Sequence, residues 1–309
     1  MMGNSPLLCC SSRFFIPFLL PVLAACTVFA QPQVQFPRSL MPDSLRSDER
    51  YENSRNPAWN PAIFATSIIL GGAAVHYGRY VPLWNSYKTS FFFKENDRYA
   101  LNQDKFLHAF GASLGGELAA CSYELMGMQR DQAKLYGLTA ALLLLSLAEV
   151  EDGHIGYLGF DRLDFGSDLL GAVYPIAQDQ IPFLRSFTPK VSYHATGRKV
   201  SVSGQVLSGA LSDHEGQTFW VGITIRDLLP AAWRSWWPSI VGVAIGRGVS
   251  DLSTDRAASF ALIALDLDLR QLPAPAPWVR RAFDVLNYIH VPMPAIRISR
   301  GTIWYGLYF

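Results

Sequence analysis

Residues 133–154 read AKLYGLTAALLLLSLAEVEDGH, an apolar stretch that ends in the carboxylates Glu149, Glu151 and Asp152. Its apolar residues recur at helical spacing, which predicts a helix over Ala133–Val150. The strongly apolar part, Leu135–Leu147, is shorter than the roughly 20 residues that a membrane-spanning helix needs. The stretch therefore predicts a long apolar helix that carries acidic residues at its end.

Three further apolar blocks with helical periodicity lie in the first half of the chain: Ala62–His76, Lys105–Met126 and Phe165–Ile176. Small residues inside the blocks permit close contact between helices, and they are Gly71, Gly72, Gly111, Gly115, Gly116 and Gly137. We therefore expect a helical bundle of about four apolar helices within residues 61–189. A bundle embedded in or resting on a membrane must hide Glu117 and Glu124 from lipid, and we favour it over a fully soluble bundle.

From Lys190 the pattern changes to the two-residue alternation of half-buried strands. Six segments show it: Lys199–Val206, Thr218–Ile225, Ile240–Val249, Ser259–Leu269, Ala295–Ile298 and Thr302–Phe309. A short helix is expected at Trp278–Tyr288. The aromatic C-terminus is similar to the closing strand of outer-membrane barrels, but six short candidates favour a sheet packed on the helices. The predicted fold class is therefore α+β, a helical bundle followed by a β-rich domain over residues 190–309.

The first sixty residues indicate export. Arg13 followed by the apolar run Phe14–Leu23 is typical of a signal peptide, here residues 1–30. Two cleavage signals overlap, a lipobox ending at Cys26 and a small-residue site ending at Ala30, and the sequence leaves both open. Residues 31–60 carry four prolines without periodicity and predict an extended tether. We therefore expect the protein in the cell envelope, in the periplasm or associated with the outer membrane.

Composition narrows the classes of partner. Of 309 residues, 50% are hydrophobic and 17% are charged, so the chain can bury a large core. Twenty-six basic and twenty-five acidic residues leave a net charge of +1, which provides no electrostatic attraction to nucleic acid. Trp233, Trp236 and Trp237 beside Arg234 favour either an anchor at a membrane interface or core packing. Membrane lipid and envelope proteins are the expected partners, and nucleic acid is excluded.

Polar residues share one face of the second predicted helix. Asp104 and His108 are one helical turn apart, so their side chains can touch, and Lys105 lies beside them. A carboxylate that accepts a hydrogen bond from one imidazole nitrogen fixes the tautomer and makes the other nitrogen a better base or metal ligand. This segment is the first part of a candidate site.

Two more acidic groups follow along the chain. Glu149 and Asp152 lie one turn apart, and a glycine-rich loop leads to Asp164 and Asp168 at the start of the next helix. Three uses are open, namely metal binding, acid/base hydrolysis and a buried network that fixes the helices in register, and we favour the network. No Cys/His spacing suggests zinc, and no phosphate loop or nucleophile elbow is present. The sequence therefore indicates no particular cofactor or metal.

These residues form an ordered set over most of residues 80–190: Phe91–Asp97 (FFFKEND), Asp104-Lys105 with His108, Glu149, Asp152-Gly153, Asp164, Asp168 and Gly171. The set resembles the YfiM-like family of predicted periplasmic lipoproteins, a domain of unknown function. A later set resembles the C-terminal extension of longer members: Asp213, Glu215-Gly216-Gln217, Trp220, Asn287, His290, Pro292 and Pro294. The resemblance implies an envelope location and a shared polar site without a named reaction.

Two further comparisons of pattern qualify this resemblance. The family favours Asn where this chain has Asp168, so the chain carries extra negative charge at that position. The order of DK-x-x-H, a Glu after an apolar helix, and D-x-x-x-[ND]-x-x-G is more distantly similar to VanZ-like membrane proteins, which keep comparable polar residues between helices.

Our leading interpretation is an exported, membrane-associated envelope protein with a structural or envelope-organising role. Its buried site is expected to contain Asp104, Lys105, His108, Glu149, Asp152, Asp164 and Asp168. The alternative is a hydrolase or transferase that acts on a lipid-linked or phosphate-bearing envelope substrate. In that case His108 is the base, Asp104 orients it, and Glu149, Asp152 and Asp164 supply acid groups or metal ligands.

Overall fold

The computed structural model describes residues 67, 70–74, 78, 81–94, 98–197, 200–202, 205–207, 210–299 and 301–309. The predicted signal peptide, the tether and most of the block Ala62–His76 lie outside these residues, although residues 70–74 are helical. Residues Arg55–Phe309 form one compact unit, so the described helices and strands belong to the same body.

Four α-helices with complete bounds in the described residues precede the sheet: α1 (Val81–Tyr87), α2 (Gln103–Leu125), α3 (Arg130–Asp152) and α4 (Arg162–Gln180). The apolar periodicity predicted α2 and α3 to within a few residues at each end. Asp161 caps α4, because its side chain accepts a hydrogen bond from the Leu163 amide at 2.8 Å. This cap places an acidic side chain at the start of the helix that carries Asp164 and Asp168.

Among the described helices, α3 alone is long and apolar enough to cross a membrane. The expectation of about four apolar helices is therefore wrong for the described part of the chain. The physical reason is the number of buried acids that α2 and α4 carry: Asp104, Glu117, Asp164 and Asp168.

Close backbone contacts join the three long helices. A side-chain carbon on Gly137 of α3 would lie 2.5 Å from the carbonyl oxygen of Gly116 in α2. A side-chain carbon on Gly171 of α4 would lie 2.0 Å from the carbonyl oxygen of Ala109 in α2. Glycine at these two positions therefore lets α3 and α4 approach α2, with α3 as a core helix of the unit.

The described residues that follow contain eight strands: β1 (Phe187–Tyr193), β2 (Val200–Val202), β3 (Gln205–Leu207), β4 (Gln217–Ile223), β5 (Val241–Ser250), β6 (Ala258–Leu267), β7 (Met293–Arg297) and β8 (Ile303–Tyr308). Six of them form an antiparallel sheet in the order β1-β4-β5-β6-β7-β8, and β2 pairs with β3. The α+β fold class is therefore confirmed. Short helices α5 (Ile225–Leu228) and α6 (Ala231–Arg234) connect β4 to β5, and α7 (Pro277–Leu286) precedes β7.

Strand β1 begins a few residues before the expected start of the β-rich part and was not predicted. It contains Pro189, which lacks an amide proton, and it lies at the edge of the sheet, where proline is tolerated. The segment Lys199–Val206, expected as one strand, instead contributes to the β2–β3 hairpin.

Helix α2 packs on one face of the sheet. The Phe110 ring of α2 lies 6.0 Å from the Phe219 ring of β4 and 6.1 Å from the ring of Tyr288. At the start of α2, Arg247 of β5 donates hydrogen bonds to the Gln103 side chain and to the Leu101 carbonyl oxygen. These contacts fix the N-terminal turn of α2, which carries Asp104, Lys105 and His108.

Candidate functional site

Lys105 is the ionic centre of the candidate site. Its Nζ lies 3.0 Å from Asp104 Oδ2, 2.5 Å from Asp161 Oδ2 and 2.8 Å from Asp164 Oδ1. Burial alone would lower the pKa of Lys105, but the hydrogen bonds that Lys105 donates to the three carboxylates outweigh burial and raise the pKa. Lys105 therefore stays charged and ties the start of α2 to the start of α4.

His108 contacts acids from two other helices. Its Nδ1 is 3.0 Å from Asp168 Oδ1 of α4, and its Nε2 is 3.8 Å from Glu149 Oε1 of α3 and 3.9 Å from Asp164 Oδ1 of α4. Burial lowers the pKa of His108, but the hydrogen bond to Asp168 and the nearby carboxylates outweigh it and raise the pKa to about 9. The imidazole thus connects α2 to both α3 and α4.

Asp104 pairs with Lys105, and not with His108 as expected. Asp104 Oδ1 accepts a hydrogen bond from the Lys105 amide at 3.0 Å, and its Oδ2 accepts one from Lys105 Nζ. The Asp104 carboxylate is therefore one of the ion-pair partners of Lys105, and Asp168 is the carboxylate next to the imidazole of His108. Asp168, rather than Asp104, orients His108.

Glu149 and Asp152 bring the acidic end of α3 to the same centre. The Asp161 amide donates a hydrogen bond to Glu149 Oε2 at 3.2 Å. Burial, aided by the charges of Asp152 and Asp164, raises the pKa of Glu149 to about 8. The Asp152 carbonyl accepts hydrogen bonds from the amides of Ile155 and Gly159 and closes the loop that leads to Asp161.

Residues Phe91–Lys94, the described part of the FFFKEND segment, hold that loop in place. The Phe92 amide bonds the Gly153 carbonyl at 3.0 Å, and the Phe160 amide bonds the Phe92 carbonyl at 3.0 Å. The Phe93 ring packs edge-on against Phe160, with centroids 5.5 Å apart. These contacts position Asp161, the residue after Phe160, next to Lys105.

The resulting centre is strongly acidic and sealed from water on most sides. Its six carboxylates are each at most 9% exposed: Asp104, Glu149, Asp152, Asp161, Asp164 and Asp168. Two cationic side chains, Lys105 and protonated His108, face them, so four negative charges are unbalanced if every acid is ionised. Asp168 is fully buried, and its Oδ2 has no hydrogen-bond partner among the described residues.

Two groups of three side chains have the spacing of metal ligands. The ligand atoms of His108, Glu149 and Asp164 lie within 4.8 Å of one another, and so do those of Asp104, Asp161 and Asp164. The ammonium group of Lys105 contacts all three acids of the second group, and it shares only Asp164 with the first group. The first group therefore offers the better cation position, with one imidazole nitrogen and two carboxylate oxygens as ligands.

The structure brings all seven predicted site residues into one region and adds Asp161. Asp161 was not among the predicted site residues, because an acid before a helix is explained by capping alone. The FFFKEND resemblance was the available signal, since that segment fixes the loop that carries Asp161.

A second buried network, in the sheet, also lay outside the predicted site. Lys190 Nζ donates to Asp266 Oδ1 at 3.0 Å, to the Leu267 carbonyl at 2.7 Å and to Asn287 Oδ1 at 3.2 Å. His290 stacks on Trp220 with centroids 4.1 Å apart. Because Lys190 has three acceptors, we interpret this network as structural.

The cluster Asp213–Gln217, part of the set that resembles the C-terminal extension, is largely buried. Asp213 accepts hydrogen bonds from the Thr196 amide and hydroxyl at 2.9 and 2.7 Å. Gln103 of α2 donates to the Gln217 carbonyl at 3.0 Å. This loop therefore supports the start of α2 rather than supplying ligands to His108.

Comparison with known proteins identifies no relative of this chain. The chain matches no protein family model, no curated protein and no solved structure.

Proposed function

We propose that the chain is an exported, membrane-associated cell-envelope protein with a structural or envelope-organising role. In this proposal the polar centre fixes α2, α3 and α4 in register and binds a divalent cation between His108, Glu149 and Asp164. The signal-like N-terminus supports export, and the ion pairs between separate helices support the structural role.

The position of His108 Nε2 carries the cation proposal. Its distances of 3.8 Å to Glu149 and 3.9 Å to Asp164 are too long for hydrogen bonds. An ion bonded at about 2.1 Å to each of two atoms can bridge atoms up to about 4.2 Å apart. Asp168 on the other ring nitrogen is the arrangement that orients histidine ligands in metal sites.

The charge balance of the centre supports the same proposal. Four unbalanced negative charges in a buried region are unfavourable unless protons or cations neutralise them. The hydrogen bond to Asp168 and the nearby carboxylates outweigh burial and raise the pKa of His108 to about 9, and burial raises the pKa of Glu149 to about 8, so a cation at this position displaces protons from both groups. One imidazole and two carboxylates suit hard or borderline divalent ions, for which Mn²⁺ is a practical probe.

The test is a titration of Mn²⁺ into the mature protein after removal of metals with EDTA, with free Mn²⁺ followed by electron paramagnetic resonance. We expect one ion per chain, and binding that strengthens with pH because His108 must lose its proton. His108→Gln and Asp164→Asn should weaken binding at least about tenfold. Glu151→Gln removes a neighbouring charge on α3 that is outside the ligand set, and should change little.

Equal Mn²⁺ binding by the parent and by His108→Gln would contradict the cation proposal, and so would a parent that binds no ion. In either case protons neutralise the centre, and it is a structural network alone.

Catalysis is the second candidate, because the His108 side chain is 24% exposed while the carboxylates around it are buried. Solvent and a substrate phosphate can therefore approach the imidazole from one side. The test is Mn²⁺-dependent hydrolysis of a lipid-linked pyrophosphate by the parent and by His108→Gln. Loss of hydrolysis in a variant that melts like the parent favours the enzyme, whereas absence of hydrolysis in the parent excludes this substrate class.

Mass spectrometry of the protein from the envelope tests export. A chain that begins at acylated Cys26 shows a lipoprotein, and one that begins at Gln31 shows ordinary secretion. An intact Met1 contradicts both.

A further inference from the structure

An apolar groove lies on the side of α2 that faces away from His108. Its volume is about 280 Å³, and its walls include Phe106, Phe110, Leu170, Tyr174, Phe219 and Val221. His108 lies two residues from both Phe106 and Phe110 on α2, and such a separation places side chains on opposite sides of a helix. The groove is therefore separate from the cation centre.

The polar side chains of the groove are bonded within the protein. Ser113 contacts the Tyr288 hydroxyl at 3.3 Å, Tyr174 donates to the Phe187 carbonyl at 3.0 Å, and Lys190 is held by Asp266. The groove therefore offers mainly carbon to an occupant. Its rim is open, since Leu170 is 72% exposed.

The apolar surface continues from the groove across the sheet. Val221 pairs in register with Ile245, Ile245 with Ile263, Ile263 with Ile296, and Ile296 with Trp304. We call these five residues the apolar strip. Four of them are exposed (Val221, Ile245, Ile263 and Trp304), and with strands about 4.8 Å apart the strip is roughly 19 Å wide.

Two exposed tryptophans follow the strip residue Val221 along the chain. Trp233 and Trp236 belong to the connection between β4 and β5, the strands that carry Val221 and Ile245, and their exposed fractions are 66% and 88%. Such exposure shows that these two indoles do not pack in the core of the described unit. Arg234 lies between them in sequence, and tryptophan with arginine is typical of the headgroup level of membranes.

We propose that the groove and the apolar strip contact the acyl chains of a membrane, with Trp233 and Trp236 at the level of the headgroups. Lipid is the occupant that the neighbouring Trp–Arg segment favours, because tryptophan rings prefer the headgroup level and arginine can reach lipid phosphates. This inference deepens the proposed membrane association and is independent of the cation centre.

The test is flotation of the mature protein with vesicles of phosphatidylcholine and phosphatidylglycerol. The protein used in this test carries the substitution Cys26→Ser, so that lipid modification cannot anchor it to the vesicles. We expect the parent to float, and we expect Ile245→Asp and Leu170→Asp each to bind vesicles at least about tenfold more weakly, since each replaces an inserted apolar side chain by a charge. Leu211→Asp is the matched control, because Leu211 is 75% exposed in a turn away from the strip.

Brominated lipids independently measure how deeply the tryptophan side chains insert into the bilayer. They should quench tryptophan fluorescence in the parent, and Trp236→Phe should lose a large part of that quenching. Circular dichroism of each variant verifies that it is folded.

Three outcomes overturn the proposal, each in a different way. If Ile245→Asp in the strip and Leu170→Asp in the groove both float like the parent, membrane association stands but another surface mediates it. If the parent does not float and forms a dimer that Ile245→Asp dissociates, the face is an interface between two copies. If the parent neither floats nor dimerises, membrane association itself fails, while the Mn²⁺ titration remains a valid test of the centre.

Discussion

At the scale of single residues, the polar centre depends on two cations that face six acids. Removing either cation leaves buried carboxylates unpaired, and a stranded buried charge costs more than an exposed ion pair contributes. Lys105 has three carboxylate partners and His108 has one close partner, Asp168. The two cations should therefore contribute unequally to stability.

We predict that His108→Ala lowers the free energy of unfolding by about 1–3 kcal/mol and that Lys105→Met lowers it by about 3–5 kcal/mol. Chemical denaturation in EDTA measures both. Lys88→Met is the control, because Lys88 is exposed and its ammonium lies over the Trp84 ring. Unchanged stability in Lys105→Met would show that the centre does not hold the helices together.

The Asp168 carboxylate is predicted to set the protonation of His108. In Asp168→Asn the charge next to Nδ1 is lost, so the pKa of His108 should fall from about 9 toward the ordinary value of 6.5. Nuclear magnetic resonance of the imidazole protons during a pH titration in EDTA measures this change. Asp161→Asn, which removes a partner of Lys105 instead, should move the His108 pKa less, and an equal effect of both variants would refute the assignment.

At the scale of elements, periodicity predicts the helices and strands well because burial of one face governs them. The apolar repeat predicts α2 and α3, and alternation predicts five of the six strands of the large sheet. Strand β1 was missed, since Pro189 disfavours a strand until the sheet supplies an edge position. The pairs within the site could not be predicted either. Helical spacing shows that Asp104 and His108 share a face, but it does not show that Asp104 forms an ion pair with Lys105.

The contact between α2 and α4 should depend on Gly171. In Gly171→Ala the new carbon would lie 2.0 Å from the Ala109 carbonyl oxygen, so the helices must separate, and the free energy of unfolding should fall by about 1–3 kcal/mol. Gly166→Ala on the same helix meets no atom within 4 Å and should be neutral or stabilising. Thermal melting compares the two, and equal melting temperatures would contradict the packing described for α4.

At the scale of the whole molecule, the helical part and the sheet each contain a buried ionic network. In the sheet, burial and the charge of Lys190 lower the pKa of His290 to about 4, from an ordinary value of 6.5. The folded state therefore favours neutral imidazole, so this contribution to stability is complete above pH 6.5 and is lost as the pH falls toward 4.

We predict that His290→Gln reduces the acid sensitivity of folding. Between pH 7 and pH 4.5 the parent should lose more stability than the variant, because the variant has no imidazole to protonate beside Lys190 and Asp266. Urea denaturation at both pH values measures the difference. A variant that loses stability with pH as steeply as the parent would contradict the account of the second network.

The cation position at His108 is the central claim, and anomalous X-ray diffraction from crystals grown with Mn²⁺ tests it most directly. We predict an anomalous peak bonded to His108 Nε2, a Glu149 oxygen and Asp164 Oδ1, with Asp168 still hydrogen-bonded to His108 Nδ1. A map without a peak at this position, with His108 Nε2 hydrogen-bonded directly to a carboxylate, would contradict the claim.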